Sequence, residues 1–262
     1  MTYLGAIAAP GKVFIVSDGQ EVAELGPDGT ACTANPLPGY VNRKIFKRGK
    51  LLLGTAGDAI RSRRLAKKIP SDACVEDVVS RYFESIQGFR RRRQEIFNEL
   101  TNGYEGTDFF KNAAPDLQYN VGILVAGLDG TAIYLSSVDP DIDKYIELWN
   151  ELGEKKAALE EIGKRTVSTC LDSAGLPYKS ALGGHALRHK GDLKETAWPP
   201  PAGAVSLGDF SGCVAYLGAV CEEISGLCGA IGPPTHFAVL SSETGFLTGA
   251  YEALAARERE AF

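Results

Sequence analysis

Two short apolar runs, residues 2–8 (TYLGAIA) and 12–17 (KVFIVS), flank Pro10-Gly11 at the start of the chain. Runs of this length on either side of a tight turn read as two antiparallel strands. Folding about Pro10-Gly11 pairs residues whose numbers sum to about 20 or 21, which places Asp18 beside Thr2. A structural role for Asp18, capping the turn Asp18-Gly19-Gln20, is the competing reading.

The rest of the chain reads as separate blocks of strand and helix. Residues 24–39 are rich in Gly and Pro and form a surface loop holding Cys32. Strands are expected at about 41–47 and 50–56, then a helix from Ala59 to Ile69 capped by Asp58. A longer helix starts at Ser71 or Asp72, with Val75, Val78, Val79, Tyr82, Phe83 and Ile86 at helical spacing. It continues through Arg90-Arg91-Arg92-Arg93, a solvated or subunit-contact face. Residues 119–126 and 131–136 form a hairpin about Asp129-Gly130, and 141–164 a helical excursion broken near Gly153. After a Pro-rich segment around Trp198, Phe210 to Ile224 is an amphipathic helix, 226–234 a loop, 235–242 a strand and 250–259 a last helix. This segregated order argues for α+β layers rather than alternating parallel β-α units.

Composition narrows the function classes. In 262 residues, 44% hydrophobic, there is apolar content for a full core. A net charge of -5 gives no overall attraction to nucleic acid or an anionic membrane. No apolar run approaches the ~20 residues of a membrane helix, and the N-terminus has no secretory pattern. The expectation is a soluble, cytoplasmic protein with neither nucleic-acid nor membrane partners. The six cysteines form no C-x-x-C pair and read as reduced, buried small hydrophobes. His185 and His189 are an i, i+4 pair able to share a helix face, but no carboxylate motif accompanies them, so no metal or other cofactor is expected.

Removal of Met1 would leave Thr2 with a hydroxyl beside a free α-amine. With a pKa near ~8 that amine can take the hydroxyl proton itself, so one residue supplies nucleophile and base. Lys44 could reach Asp18 and, by its charge, lower the proton affinity of the Thr2 hydroxyl. In Leu53-Gly54-Thr55-Ala56-Gly57-Asp58-Ala59 a strand runs into a helix start, where the Gly57 N–H could bind an oxyanion.

In this order these residues resemble the proteasome β-subunit family of N-terminal-nucleophile hydrolases, including the bacterial two-component peptidase and the Anbu homologues. The likeness rests on Thr2, Ser17-Asp18-Gly19-Gln20, Arg43-Lys44-Ile45-Phe46-Lys47 and Leu52 to Ala59, with Gly232-Pro233-Pro234 similar to the Anbu branch. It covers residues 2–86 well, and 119–136 and 205–245 more loosely. The resemblance implies Thr2 as nucleophile, assisted by Asp18 and Lys44, Gly57 as oxyanion amide, and Val22, Ala56 and Ala59 around the specificity pocket. It also implies a four-layer αββα sandwich of two antiparallel sheets, and self-assembly into a ring or spiral. The activity implied is threonine-type endopeptidase action on peptides or unfolded proteins, with an ATPase unfoldase as a possible partner.

The whole chain, 1–262, is then one such domain, with an inserted loop at about 26–38 and a helical insertion at about 141–164. The family's auxiliary serine and aspartate are replaced, the equivalents here being Gly183-Gly184-His185 and Ser225-Gly226-Leu227-Cys228-Gly229. Either Ser225 or His185 compensates or the site is weakened, and a histidine with no such role is the preferred reading of His185. The alternatives are a catalytically degenerate subunit serving as an assembly or binding shell, and an amidohydrolase acting on small amides.

Overall fold

The computed structural model describes residues 2–20, 43–101, 119–165, 170–171, 178–193, 198 and 210–252. β1 (Tyr3–Ala9) and β2 (Lys12–Asp18) form the expected hairpin, with Ala9 opposite Lys12 and Leu4 opposite Ser17. The partner numbers sum to 21, so Asp18 lies across from Tyr3 and next to Thr2. Gly11 turns the chain at φ 76°, a left-handed conformation that favours glycine.

This hairpin is the centre of a six-stranded antiparallel sheet ordered β10-β9-β2-β1-β8-β7. Its other strands are β7 (Cys170–Leu171), β8 (Lys179–Gly184), β9 (Thr235–Ser241) and β10 (Gly245–Ala250). A second antiparallel sheet, β3-β4-β5-β6, comprises β3 (Ile45–Arg48), β4 (Leu51–Gly57), β5 (Val121–Gly127) and β6 (Ala132–Ser136). With five α-helices among the described residues, the chain is an α+β protein.

Strand periodicity sends successive residues of β1 and β2 into different cores. Leu4, Ala6, Ala8, Val13 and Ile15 belong to the core shared with the four-stranded sheet. Leu4 packs so closely on β4 that its Cδ2 lies 2.9 Å from where a Cβ on Gly54 would stand. Tyr3, Ile7, Phe14 and Val16 belong to a second core with Val214, Leu217 and Ile224 of the helix Phe210–Leu227. Both faces of the hairpin are therefore dry, which is why its strands read as nearly continuous apolar runs. The Tyr3 hydroxyl, itself buried, donates to the Leu217 carbonyl at 2.7 Å.

The four-stranded sheet carries its own helices. α1 (Ala59–Lys68) is capped by Asp58, which accepts from the Arg61 N–H at 2.9 Å. α2 (Val75–Thr101) buries Val75, Val78, Val79, Tyr82, Phe83 and Ile86, and its Tyr82 hydroxyl donates to Val121 of β5 at 2.8 Å. The stretch expected as a helical excursion is two helices, α3 (Ile142–Glu151) and α4 (Lys155–Arg165). They are integral to the core: Trp149 of α3 meets Phe83 of α2 edge-on, ring centroids 6.1 Å apart. Arg90 to Arg93 are exposed, Arg90 pairing with Asp143 of α3. The helix Phe210–Leu227 is α5.

At the turn end of the hairpin the sheets are joined directly. The Gly11 N–H donates to the Leu128 carbonyl at 2.6 Å and Pro10 bridges Asp129, while within the six-stranded sheet the Ser242 N–H donates to the Gly11 carbonyl at 2.9 Å.

Several expectations need correction. Ala250 ends a strand, β10, which pairs along β9, and Tyr251 and Glu252 after it are helical, so the last helix starts one residue later than expected and positions 253–259 lie outside the described residues. The segment His185–Asp192 is a 3₁₀ helix, with three residues per turn, so positions 185 and 189 do not share a face as they would on an α-helix. Cys74 is exposed and Cys228 half-buried, whereas Cys213 and Cys221 are buried as expected. α2 starts at Val75, not Ser71 or Asp72, where the Asp77 carboxylate accepts from the Cys74 N–H at 2.9 Å. Cys32, Val22 and the loop at 26–38 lie outside the described residues. Among the described residues no helix is long and apolar enough to cross a membrane.

Candidate active site

Three chain segments meet at the open end of the hairpin. β1 begins just after Thr2, β2 ends at Asp18, and the lead into β3 carries Lys44, held against β4 by a bond from the Thr55 N–H to the Lys44 carbonyl at 2.9 Å. All three side chains are buried. Lys44 Nζ lies 2.8 Å from Asp18 Oδ1 and donates also to the Gln20 carbonyl at 2.9 Å. The same Asp18 oxygen accepts from the Tyr3 N–H at 2.8 Å. One carboxylate thus fixes the backbone after Thr2 and anchors an ammonium from the other sheet.

Taking both charges out of water is costly, and the pair is tolerable only because each charge faces the other with further hydrogen bonds. Burial pushes the Asp18 carboxyl above its ordinary range, while the Lys44 ammonium and the Tyr3 N–H pull it back. Asp18 Oδ2 is buried and has no hydrogen-bond partner among the described residues, as is true of Ser17 Oγ and His236 Nε2 nearby on the paired strands β2 and β9.

The backbone of Thr2 is held from the opposite side by β8. Its carbonyl accepts from the His185 N–H at 2.8 Å. Gly184 makes this approach possible: at φ 71° it stands so close that a Cβ would lie 2.3 Å from the Thr2 carbonyl oxygen. The segment Gly183-Gly184-His185 therefore does border residue 2, through main-chain contact.

Thr2 opens onto a narrow cleft lined also by Lys44, Thr55, Gly57 and Ala59. Gly57 is exposed, at φ 90°, where a Cβ would stand 2.2 Å from the Asn120 carbonyl oxygen, so glycine is required. The structure thus brings Thr2, Asp18, Lys44, Gly57 and Ala59 to one place. Ala56 is buried in β4 and Val22 lies outside the described residues. Ser225, near the end of α5, is not on the cleft: its hydroxyl donates to the Ile231 carbonyl at 2.7 Å and faces the loop that contacts Gln20.

Arg43, Ser62 and Arg63 also line the cleft and escaped the sequence reading. The last two follow Ala59 at the i+3 and i+4 positions of α1, a spacing that puts all three on one helix face. Among the described residues no group of three or more His, Cys, Asp or Glu side chains is placed to hold a metal ion. No protein-family model matches the chain, and no curated protein matches it.

Proposed function

We propose that this chain is a threonine-dependent N-terminal-nucleophile hydrolase resembling the proteasome β-subunits, with their four-layer αββα sandwich, and that it cleaves peptide bonds. The observation that carries the reading is the buried Asp18–Lys44 pair, bonded to the backbone beside Thr2, with Gly57 on the same cleft. Once Met1 is removed, Thr2 Oγ attacks a substrate carbonyl carbon. The hydroxyl proton passes to the Thr2 α-amine, directly or through water, and then to the departing amine as the C–N bond breaks. Water hydrolyses the resulting ester and restores Thr2. The Lys44 ammonium favours loss of the hydroxyl proton, and the Gly57 amide receives the developing oxyanion.

By the same resemblance the active form is a ring or spiral of copies in the cytoplasm, with an ATPase unfoldase as a possible partner. A second reading, a subunit that keeps the architecture without catalysis, is favoured by one observation: the Ser225 hydroxyl is engaged by Ile231 and is not turned to Thr2. Exposure of the purified protein to a peptide epoxyketone or β-lactone separates the two. An adduct mapped to a Met1-free Thr2 supports the hydrolase; a folded, Met1-free protein that takes no adduct refutes it and leaves the shell.

A further inference from the structure

We propose that Tyr134 is a positioning residue for the Thr2 nucleophile, bracing from the second sheet the β8 backbone that holds the Thr2 carbonyl, a proposal that rests on the hydrolase reading above. Tyr134 stands on β6, an edge strand of the four-stranded sheet, and its side chain is buried in the core between the sheets. Two glycines, one from each sheet, make room for it. A Cβ on Gly183 of β8 would lie 2.4 Å from Tyr134 Cδ2, and a Cβ on Gly122 of β5 would lie 2.3 Å from the Tyr134 hydroxyl oxygen. Tyr134 does not line the cleft, so any part it has in the chemistry is exerted through other residues.

The path to Thr2 is short. The Tyr134 hydroxyl is hydrogen-bonded to the Gly184 backbone and to the Ser136 side chain, and burial pushes it above its ordinary pKa, so it stays a neutral phenol. The β1–β8 register explains why Gly184 is available for that bond. The His185 N–H donates to the Thr2 carbonyl, so the next pair along, Tyr3 and Gly184, exchanges no hydrogen bonds and the Gly184 N–H points away from β1. Gly184 thus has the Tyr134 hydroxyl on one side and the Thr2 carbonyl on the other, where a Cβ would lie 2.3 Å from the carbonyl oxygen. Attack by the Thr2 hydroxyl depends on where this main chain sits, and a misplacement of about 1 Å can cost about 10²-fold in rate.

Saturation kinetics of Thr2 labelling by a peptide epoxyketone, with hydrogen exchange of the Gly184 and His185 amides, test this on the full-length, Met1-free protein. Tyr134→Phe keeps the ring in its slot and removes only the hydroxyl. It is expected to lower kinact at least about tenfold with KI unchanged, and to speed exchange at both amides while those of β9 keep wild-type rates. Ser136→Ala leaves the phenol in place and should move the same quantities in the same direction by less, which keeps the proposal testable if Tyr134→Phe folds poorly. Wild-type kinact in a folded Tyr134→Phe overturns the proposal, as does faster exchange spread equally over β9, the mark of general destabilisation. A wild-type protein that takes no adduct refutes the hydrolase reading instead. Faster exchange confined to Gly184 and His185 would then uphold Tyr134 as the brace of residue 2, and unchanged exchange there would remove it.

Discussion

Gly19 and His236 lie in such close contact that a Cβ on the glycine would stand 2.9 Å from His236 Nε2, and 2.4 Å from the Pro234 carbonyl oxygen. Gly19 separates the two groups that hold the Lys44 ammonium, the Asp18 carboxylate and the Gln20 carbonyl. Gly19→Ala must therefore displace either the β9 lead-in or the turn that fixes Lys44. The expected cost is about 1–3 kcal/mol, as for overpacking a tight interior, together with loss of Thr2 labelling. Urea unfolding and adduct formation, measured on the same preparation, check both; wild-type values for both would show that the turn yields freely.

Thr2→Ala should abolish hydrolysis and adduct formation while leaving the fold intact, because the bonds that hold residue 2 are main-chain ones, such as the 2.8 Å contact from the His185 N–H to the Thr2 carbonyl. Thr2→Ser keeps the hydroxyl and should retain measurable turnover. Intact mass and thermal unfolding report the two halves of the expectation. Residual wild-type turnover in the alanine variant would remove Thr2 from the chemistry.

Removing the Lys44 ammonium strands Asp18 in the interior. Lys44→Met is expected to cost about 3–5 kcal/mol near neutral pH, the range for breaking a buried pair, and the double variant Asp18→Asn, Lys44→Met much less. The single-variant cost should shrink on acidification, since a protonated Asp18 needs no counter-charge. Denaturant titrations at neutral and mildly acid pH give the comparison; a cost independent of pH would mean that Asp18 is already neutral.

Activity should share this dependence. Burial favours the protonated form of Asp18 and raises its pKa above the ordinary 3.8, so on acidification the carboxylate is lost at a higher pH than an exposed aspartate would allow. Because the native state then holds a proton that the unfolded chain releases, stability declines as pH rises across that window, while the ion pair forms over the same interval. The Thr2 α-amine, with an ordinary pKa near ~8, sets one limb of the labelling profile, and a second, lower limb that is absent from Asp18→Asn is expected with a midpoint above 3.8 and unchanged circular dichroism. A midpoint at or below 3.8 would contradict the role given to Asp18.

Gly57→Ala meets backbone rather than a movable side chain, the Asn120 carbonyl oxygen at 2.2 Å, and must also hold φ near 90°. A loss of stability of about 1–3 kcal/mol is expected from the backbone conformation alone, with larger loss of labelling than of fold. Comparison with Gly153→Ala, where a Cβ meets nothing within 4 Å, provides the control.

What was legible in the sequence was local. The Pro10-Gly11 hairpin, the Asp58 cap and the Val75-to-Ile86 stripe each depend on neighbours in the chain, and each occurs within a residue or a few of its expected bounds. β8 and β10 were missed because their segments, KSALGG and GFLTGA, are glycine-bearing and poor in β-branched residues; only pairing with β1 and β9 makes them strands. The reach of Lys44 to Asp18 followed from the resemblance and from strand order, and its geometry is now explicit. The arginines of the cleft stayed hidden because Arg43 and Arg63 come from separate elements that only the meeting of β3, β4 and α1 brings together. Ser225 was misleading since sequence order placed it near the site, while the loop after α5 turns its hydroxyl to Ile231.

The fastening of the hairpin turn to the second sheet gives the molecule a mechanical asymmetry. At the Gly11 end the sheets are clasped by main-chain bonds, and nine residues away, roughly 30 Å along an extended strand, Thr2 and Gly57 stand at the other end. There Lys44 crosses from one sheet to Asp18 on the other. The hairpin is thus tied to the second sheet at both ends, by main-chain bonds at the turn and by the buried Lys44–Asp18 pair beside Thr2. On the mechanism proposed above, the distance a substrate carbonyl must bridge between the Thr2 hydroxyl and the Gly57 amide is set where that pair ties the two sheets together.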